Sequence, residues 1–182
     1  MPAPLQSAVL IPVFRAHGGE WHVVLIRRVN RGAHAGEIAL PGGKHEPGDA
    51  SLAATAIRET AEEIGACPAG IEVLESLPSV HTRVTGFEIH PFLARIEPPA
   101  CWVPEPGEVA TVLPLPVTDL LRPGARRRER FTPPGAVAAS EFPCLRLGPV
   151  RIWGATYRIL DPVLPRLGAN DPAPPRAAGG PA

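Results

Sequence analysis

Apolar residues along the 182-residue chain recur with two different periods. Ala8–Phe14 and Trp21–Ile26 are short apolar runs separated by His17-Gly18-Gly19, a pattern that predicts a β-hairpin. Ile71–Leu77 and Phe87–Ile96 predict two more strands, and Val109–Leu113 is strand-like. The Phe87 strand alternates Phe87, Ile89 and then Phe92, Ala94 and Ile96 around Pro91. A residue without an N–H belongs at an edge or a bulge, so this strand is expected there. Residues 50–64 instead predict a helix, begun by Asp49 or Ser51 as a cap and ended by Gly65, with Pro68 beyond. At 100° per residue from Glu59, Ala53, Ile57, Ala61 and Ile64 fall at about 120°, 160°, 200° and 140°, one narrow apolar face.

On the same wheel Glu59, Glu62 and Glu63 lie at about 0°, 300° and 40°, sharing an arc opposite that face. Three carboxylates so close repel one another. The positions four beyond them are Glu63, Ala66 and Cys67, so the usual compensating Lys or Arg is missing there. A divalent cation would supply it, because hard oxygen ligands at i, i+3 and i+4 suit Mg²⁺ or Mn²⁺ beside a phosphate. An ordinary acidic helix surface is the alternative.

Charge elsewhere adds little. Eighteen Lys+Arg balance eighteen Asp+Glu, which excludes a polybasic nucleic-acid binder and an acidic tail. Cys67, Cys101 and Cys144 are odd in number and widely spaced, so they read as reduced thiols rather than a disulfide framework or zinc site. No run approaches the ~18 apolar residues of a membrane span. These features give the expectation of a cytoplasmic protein with no membrane or nucleic-acid partner. Residues 1–166 are expected to form a single domain, and 167–182, rich in Pro, Gly and Ala, a disordered tail.

Upstream of the acidic face lies Leu40-Pro41-Gly42-Gly43-Lys44, a glycine turn leading through Glu46-Pro47-Gly48-Asp49 into the helix. Followed by Arg58-Glu59-Thr60-Ala61-Glu62-Glu63-Ile64-Gly65, this order resembles the Nudix box of the Nudix hydrolases. Asp49 stands where the common box has Glu, and eight residues rather than seven separate it from Arg58, so Asp49 reads as a loop or helix-start residue. Thr60 and Ala66 replace larger aliphatics. The spacing, together with His34-Ala35-Gly36-Glu37-Ile38-Ala39-Leu40-Pro41-Gly42-Gly43, resembles the coenzyme A diphosphatase branch, with Glu37 in place of Gln and Leu40 in place of Phe. Thr85-Gly86-Phe87-Glu88-Ile89 with Pro91, Glu108-Val109-Ala110 and Ile152-Trp153-Gly154-Ala155-Thr156 resemble segments of the same branch, so the likeness runs from about Val9 to Leu160.

The resemblance implies an α+β Nudix fold, a mixed sheet sandwiched between helices, and a small-molecule nucleotide substrate. Glu59 and Glu63 would bind Mg²⁺ or Mn²⁺, with Glu62 and the Gly43 carbonyl as further ligands and Arg58 orienting a glutamate. Glu59, Glu62 and Glu108 are the candidates for general base. Water would attack one phosphorus of a diphosphate, for coenzyme A releasing 4′-phosphopantetheine. Arg126, Arg127, Arg128 and Arg130 form the basic cluster for a 3′-phosphate, and Arg27, Arg28 and Arg31 are equally placed to meet a phosphate. Trp153 and Phe87 are candidates to stack on adenine, and His34 and His81 to touch phosphate. Open alternatives are a Nudix hydrolase of ADP-ribose, dinucleotide polyphosphates or oxidised nucleoside triphosphates, and an inactive nucleotide-binding module. Family members are often homodimers, and oligomeric state stays open.

Overall fold

A computed structural model describes residues 5–32, 34–82, 86–133 and 136–169. Thr85 and the tail residues from 170 onward lie outside the described residues. The expected hairpin is present as β1 (Leu5–Arg15) and β2 (Trp21–Arg28), antiparallel with Val13 opposite Val23. Two short strands follow, β3 (Ile38–Ala39) and β4 (Gly42–Lys44), then helix α1 (Leu52–Ile64). The chain continues through β5 (Ile71–Ser76), β6 (Val80–His81), β7 (Phe87–Ile96) and β8 (Val109–Pro116). A short helix α2 (Val117–Leu121) leads to β9 (Arg126–Phe131), β10 (Ser140–Leu147) and β11 (Val150–Trp153), and α3 (Gly154–Leu160) and α4 (Leu164–Gly168) close the described chain.

The first eight strands form a mixed sheet of order β3-β2-β1-β7-β5, with β4 against β1, β6 against β7 and β8 against β2. Among the described residues only β1 and β7 run parallel. β9 to β11 make a separate antiparallel sheet. Side chains alternate across the strands, so β2 sends Val24 and Ile26 to one core shared with Ala56 and Ile64 of α1. Val23 and Leu25 go to the other, shared with Leu145, Ile152, Leu160 and Leu164 of the small sheet and last helices. One sheet face therefore carries α1 and the other the C-terminal layer.

Three expectations are corrected. Pro91 is not on an edge strand, because β7 has β1 on one side and β5 and β6 on the other. It sits between the stretch paired with β6, ending at Ile89, and the stretch paired with β5, beginning at Phe92, where the outer partner changes and an N–H is dispensable. Residues 126–130, expected to form one basic cluster, lie in strand β9, whose side chains alternate between two faces. Leu167, expected to open the tail, is 1% exposed within α4.

Candidate active site

α1 is set by local chemistry at both ends. Ser51 caps it by accepting the Ala54 N–H at 3.1 Å, and Gly65 ends it in the left-handed region at φ 72°, donating to the Ala61 carbonyl. The buried positions are Thr55, Ala56, Thr60, Glu63 and Ile64, while Ala53, Ile57 and Ala61 are half-buried. The buried face is thus rotated toward the carboxylates relative to the apolar pattern. β1 and β4 pack closest there, and the two glycines of β4 leave room for polar side chains.

Glu63 consequently points inward and is 3% exposed. Its Oε2 accepts the Gly42 N–H at 2.8 Å, whereas its buried Oε1 has no partner among the described residues. Burial pushes the Glu63 carboxyl up to about 8, against the opposing pull of the Gly42 N–H and Arg28 and with the added repulsion of Glu59 and Glu108. Burial also raises Glu59, offset in part by Arg58. Glu59 lies against the glycine turn so closely that a Cβ on Gly43 would fall inside its carboxylate. Gly42 is equally constrained: at φ 145° it packs on the Ala8 carbonyl and Val9.

The compensating cation missing four residues beyond each acid is supplied by Arg58, adjacent to Glu59 on the helix. Its Nη1 lies 3.0 Å from Glu59 Oε1 and 3.2 Å from Glu62 Oε2. Its Nε and Nη2 donate to Asp49 Oδ1 and Oδ2 at 2.9 and 3.1 Å, and Nη2 reaches the Lys44 carbonyl at 3.4 Å. Those hydrogen bonds and the Glu46 N–H hold the Asp49 carboxyl well below the usual range, and Asp49 in turn keeps Arg58 firmly protonated. Asp49 also accepts the Thr55 hydroxyl at 2.8 Å, and His45 Nδ1 lies 2.8 Å from the same hydroxyl, pinning the loop to the first turn of α1. From sequence Asp49 reads as a loop or helix-start residue, with no partner indicated. The signal was an acid just ahead of the helix, but its partner is nine positions away on another element.

Arg28 and Glu108 meet at this end of the sheet: Arg28 is paired in register with Val109, and the charges of both act on Glu63. Glu108 is exposed, and its side chain makes no hydrogen bond or ion pair among the described residues. Arg126, Arg127 and Arg128 are on β9, and among the described residues no contact joins them to the α1 carboxylates. Arg31 is exposed, Arg130 is exposed on β9, and His34 Nδ1 lies 2.9 Å from Glu37. His81 is 3.7 Å from Glu88. Phe87 sits under the Lys44 ammonium, 5.7 Å away. Trp153 packs with Phe131 and Phe142 on the small sheet. Cys67, Cys101 and Cys144 are free thiols. No helix among the described residues is long and apolar enough to cross a membrane.

Compared with known proteins, residues 4–133 match the model of the NUDIX domain. The chain belongs to the Nudix family. It is 42% identical over 121 residues to a Citrobacter koseri protein named as an uncharacterized Nudix hydrolase NudL, a match covering 65% of this chain and 61% of the relative. A Salmonella paratyphi B protein of the same name is 39% identical over 119 residues, with the same coverage. The match thus spans less than two thirds of the length of these curated relatives. A MutT/nudix family protein from Enterococcus faecalis shares the fold with a TM-score of 0.65 at 20% identity, over 94% of this chain and 66% of that one. The NUDIX domain of Shewanella oneidensis NrtR, solved with ADP ribose, gives 0.52 at 23% identity over 66% and 78%.

With α1 placed as the Nudix helix, its fit to a divalent cation rests on its donors. Glu63 Oε1 is a buried oxygen with no partner among the described residues, Glu59 is half-buried beside it, and Gly43 leaves the space a side chain would fill. Hard carboxylate and carbonyl oxygens suit Mg²⁺ or Mn²⁺. Among the described residues no three acid, His or Cys side chains are already gathered around one point. Arg58 holds Glu62 and Glu59 toward itself, so Glu63 and Glu59 are the inner carboxylates of the Nudix helix and Glu62, 58% exposed, stands at the rim.

Proposed function

We propose that this chain is a metal-dependent hydrolase of diphosphate bonds in nucleotide derivatives, with coenzyme A as substrate. The observation that carries the reading is Glu63, a buried carboxylate with one oxygen fixed by Gly42 and the other unpartnered. A charge buried this way is costly unless a cation or proton joins it. Glu63, Glu59, the Gly43 carbonyl and Glu62 would hold Mg²⁺ or Mn²⁺. Bound there, the cation would neutralise the diphosphate and the leaving phosphate.

The chain's own groups supply the rest. Asp49 fixes Arg58, and Arg58 fixes the Glu59 and Glu62 carboxylates, so the donors are oriented before substrate arrives. Glu108 is the base that takes the proton from the attacking water. Glu59 and Glu62 are held by Arg58, whereas the Glu108 carboxylate is exposed and its side chain has no partner among the described residues. Arg28, beside Glu108, is placed to meet a phosphate of the substrate.

The choice of coenzyme A rests on the sequence resemblance in the glycine turn and the Ile152-Trp153-Gly154 segment. ADP-ribose is the second reading, favoured by the ligand of the NrtR domain. Products are measured by chromatography from coenzyme A, ADP-ribose, diadenosine polyphosphates and 8-oxo-dGTP, with Mg²⁺ or Mn²⁺. The expected result is adenosine 3′,5′-bisphosphate and 4′-phosphopantetheine from coenzyme A, lost in Glu63→Gln. Turnover of ADP-ribose with coenzyme A intact would overturn the choice of substrate.

A further inference from the structure

The small sheet has two unlike faces. Leu145, Val150 and Ile152 point from one into the core and are 0–8% exposed. Strand alternation and register put Phe131 and Glu129 of β9, Phe142 and Arg146 of β10, and Arg151 and Trp153 of β11 on the other. The three aromatic rings touch, with centroids 5.1–5.3 Å apart, yet each remains half-buried. Packing against the body of the protein therefore does not cover them.

This face opens onto a cavity of about 210 Å³, whose opposite wall is Arg27 and the segment Ala35–Ile38 leading into the glycine turn. Arg146 and Arg151 are directly opposite in register and both line it. Glu129 organises them, 2.7 Å from Arg151 Nε and 3.7 Å from Arg146 Nε, with Arg127 at 3.9 Å. The Arg151 guanidinium is also stacked on Phe131, 4.2 Å from the ring centre. The Arg27 side chain makes no ion pair among the described residues, and the Glu37 carboxylate is turned to His34. Three guanidinium groups, of Arg27, Arg146 and Arg151, thus line a concave site with an aromatic floor, against the carboxylates of Glu37 and Glu129, a surplus of positive charge. Arg146, Arg151 and Trp153 also lie beyond the residues matched by the NUDIX domain model.

We infer that this cavity binds the phosphate-bearing nucleoside end of the substrate: Arg27 and Arg146 grip a phosphate monoester, and the Phe131 and Trp153 surface with stacked Arg151, backed by Phe142, receives the base. Arginine forks suit a phosphate and aromatic faces suit a base. A volume below the ~300 Å³ of a drug-sized pocket fits one end of a longer molecule, the remainder lying outside. The inference deepens the proposed reading and moves the 3′-phosphate site away from the arginine cluster expected from sequence. Alternation splits that cluster: Arg126 and Arg128 turn to the other face, where they pair with Asp161 and Glu141.

The test uses adenosine 3′,5′-bisphosphate and adenosine 5′-monophosphate, titrated calorimetrically into the chain in EDTA, so that no turnover is needed. The bisphosphate is expected to bind about tenfold tighter or more, and Arg27→Gln or Arg146→Gln to abolish that preference. Arg95→Gln, at an exposed pair with Glu72, should leave it intact. Equal binding of both nucleotides to the wild type overturns the inference. So does a preference that survives both cavity variants but disappears in Arg126→Gln with Arg128→Gln. The kinetic arm compares kcat/KM for coenzyme A and its dephospho form. If coenzyme A is not hydrolysed but the binding preference follows Arg27 and Arg146, the site stands and the proposed substrate fails. If coenzyme A is hydrolysed with unchanged discrimination in both cavity variants, the substrate stands and the site fails.

Discussion

Asp49 grips Arg58 through two near-parallel hydrogen bonds, Nε to Oδ1 at 2.9 Å and Nη2 to Oδ2 at 3.1 Å, and the same guanidinium turns its remaining nitrogen to Glu59 and Glu62. The loop before the Nudix helix therefore sets the orientation of the helix carboxylates through one arginine. In the proposed mechanism Asp49 acts at one remove from the metal-holding carboxylates, as a positioning residue.

Asp49→Asn keeps the shape but removes the charge that fixes Arg58. The expected outcome is a lower urea midpoint at pH 7 and a kcat reduced about tenfold, with a weaker apparent affinity for divalent metal. Because the folded-state carboxyl of Asp49 is depressed, its contribution is present above its ordinary value of 3.8 and is lost as pH falls below that value. Urea midpoints compared at pH 7 and below pH 3 should therefore converge between variant and wild type.

Gly43→Ala separates steric from backbone effects in the glycine turn. Gly43 is not among the positive-φ glycines, so alanine costs little in backbone terms, but its methyl meets the Glu59 carboxylate. A folded protein by circular dichroism, with activity down about 100-fold or more, is expected. Gly42→Ala, at φ 145° and against the Ala8 carbonyl, should instead lose stability first, read as a lower Tm.

Metal removal exposes the cost of the buried Glu63. Its carboxyl rises from the ordinary 4.5 to about 8 in the folded chain. In EDTA the stabilising proton is therefore fully bound below about pH 4.5 and lost as pH rises through 8, and Glu59, shifted the same way, adds to the slope. Between pH 5 and 8 the metal-free wild type should lose about 2 kcal/mol or more relative to Glu63→Gln, whose uncharged side chain can still accept the Gly42 N–H. Urea unfolding at both pH values checks this.

Glu108→Gln should lower kcat about 100-fold with little change in KM, and flatten the acid limb of the pH–rate profile. An unchanged acid limb would assign the base to Glu59 or Glu62 instead.

The regular part of the chain was legible in its residues. The hairpin, the Nudix helix and its caps follow from runs, turn glycines and 3.6-residue spacing, all local signals. The buried face of α1 was not, because Thr60 and Glu63 go inward for reasons belonging to β4: its glycines leave the space, and Gly42 offers the N–H. The arginines of β9 read as a single cluster in sequence, yet strand alternation sends neighbours to opposite faces. Arg146, Arg151, Trp153 and Phe131 become one surface only through the pairing of three strands, which spacing does not reveal.

In the proposed reading Glu63 is the buried donor of a metal-dependent diphosphatase. The direct measurement is the initial rate of coenzyme A hydrolysis at pH 8, followed by chromatography of the released adenosine 3′,5′-bisphosphate, for wild type and Glu63→Gln across a Mg²⁺ titration. The account predicts a saturable Mg²⁺ dependence in the wild type and a rate lowered about 1,000-fold or more in the variant at every Mg²⁺ concentration. Equal rates in the two proteins, or a wild-type rate indifferent to divalent metal, would contradict it.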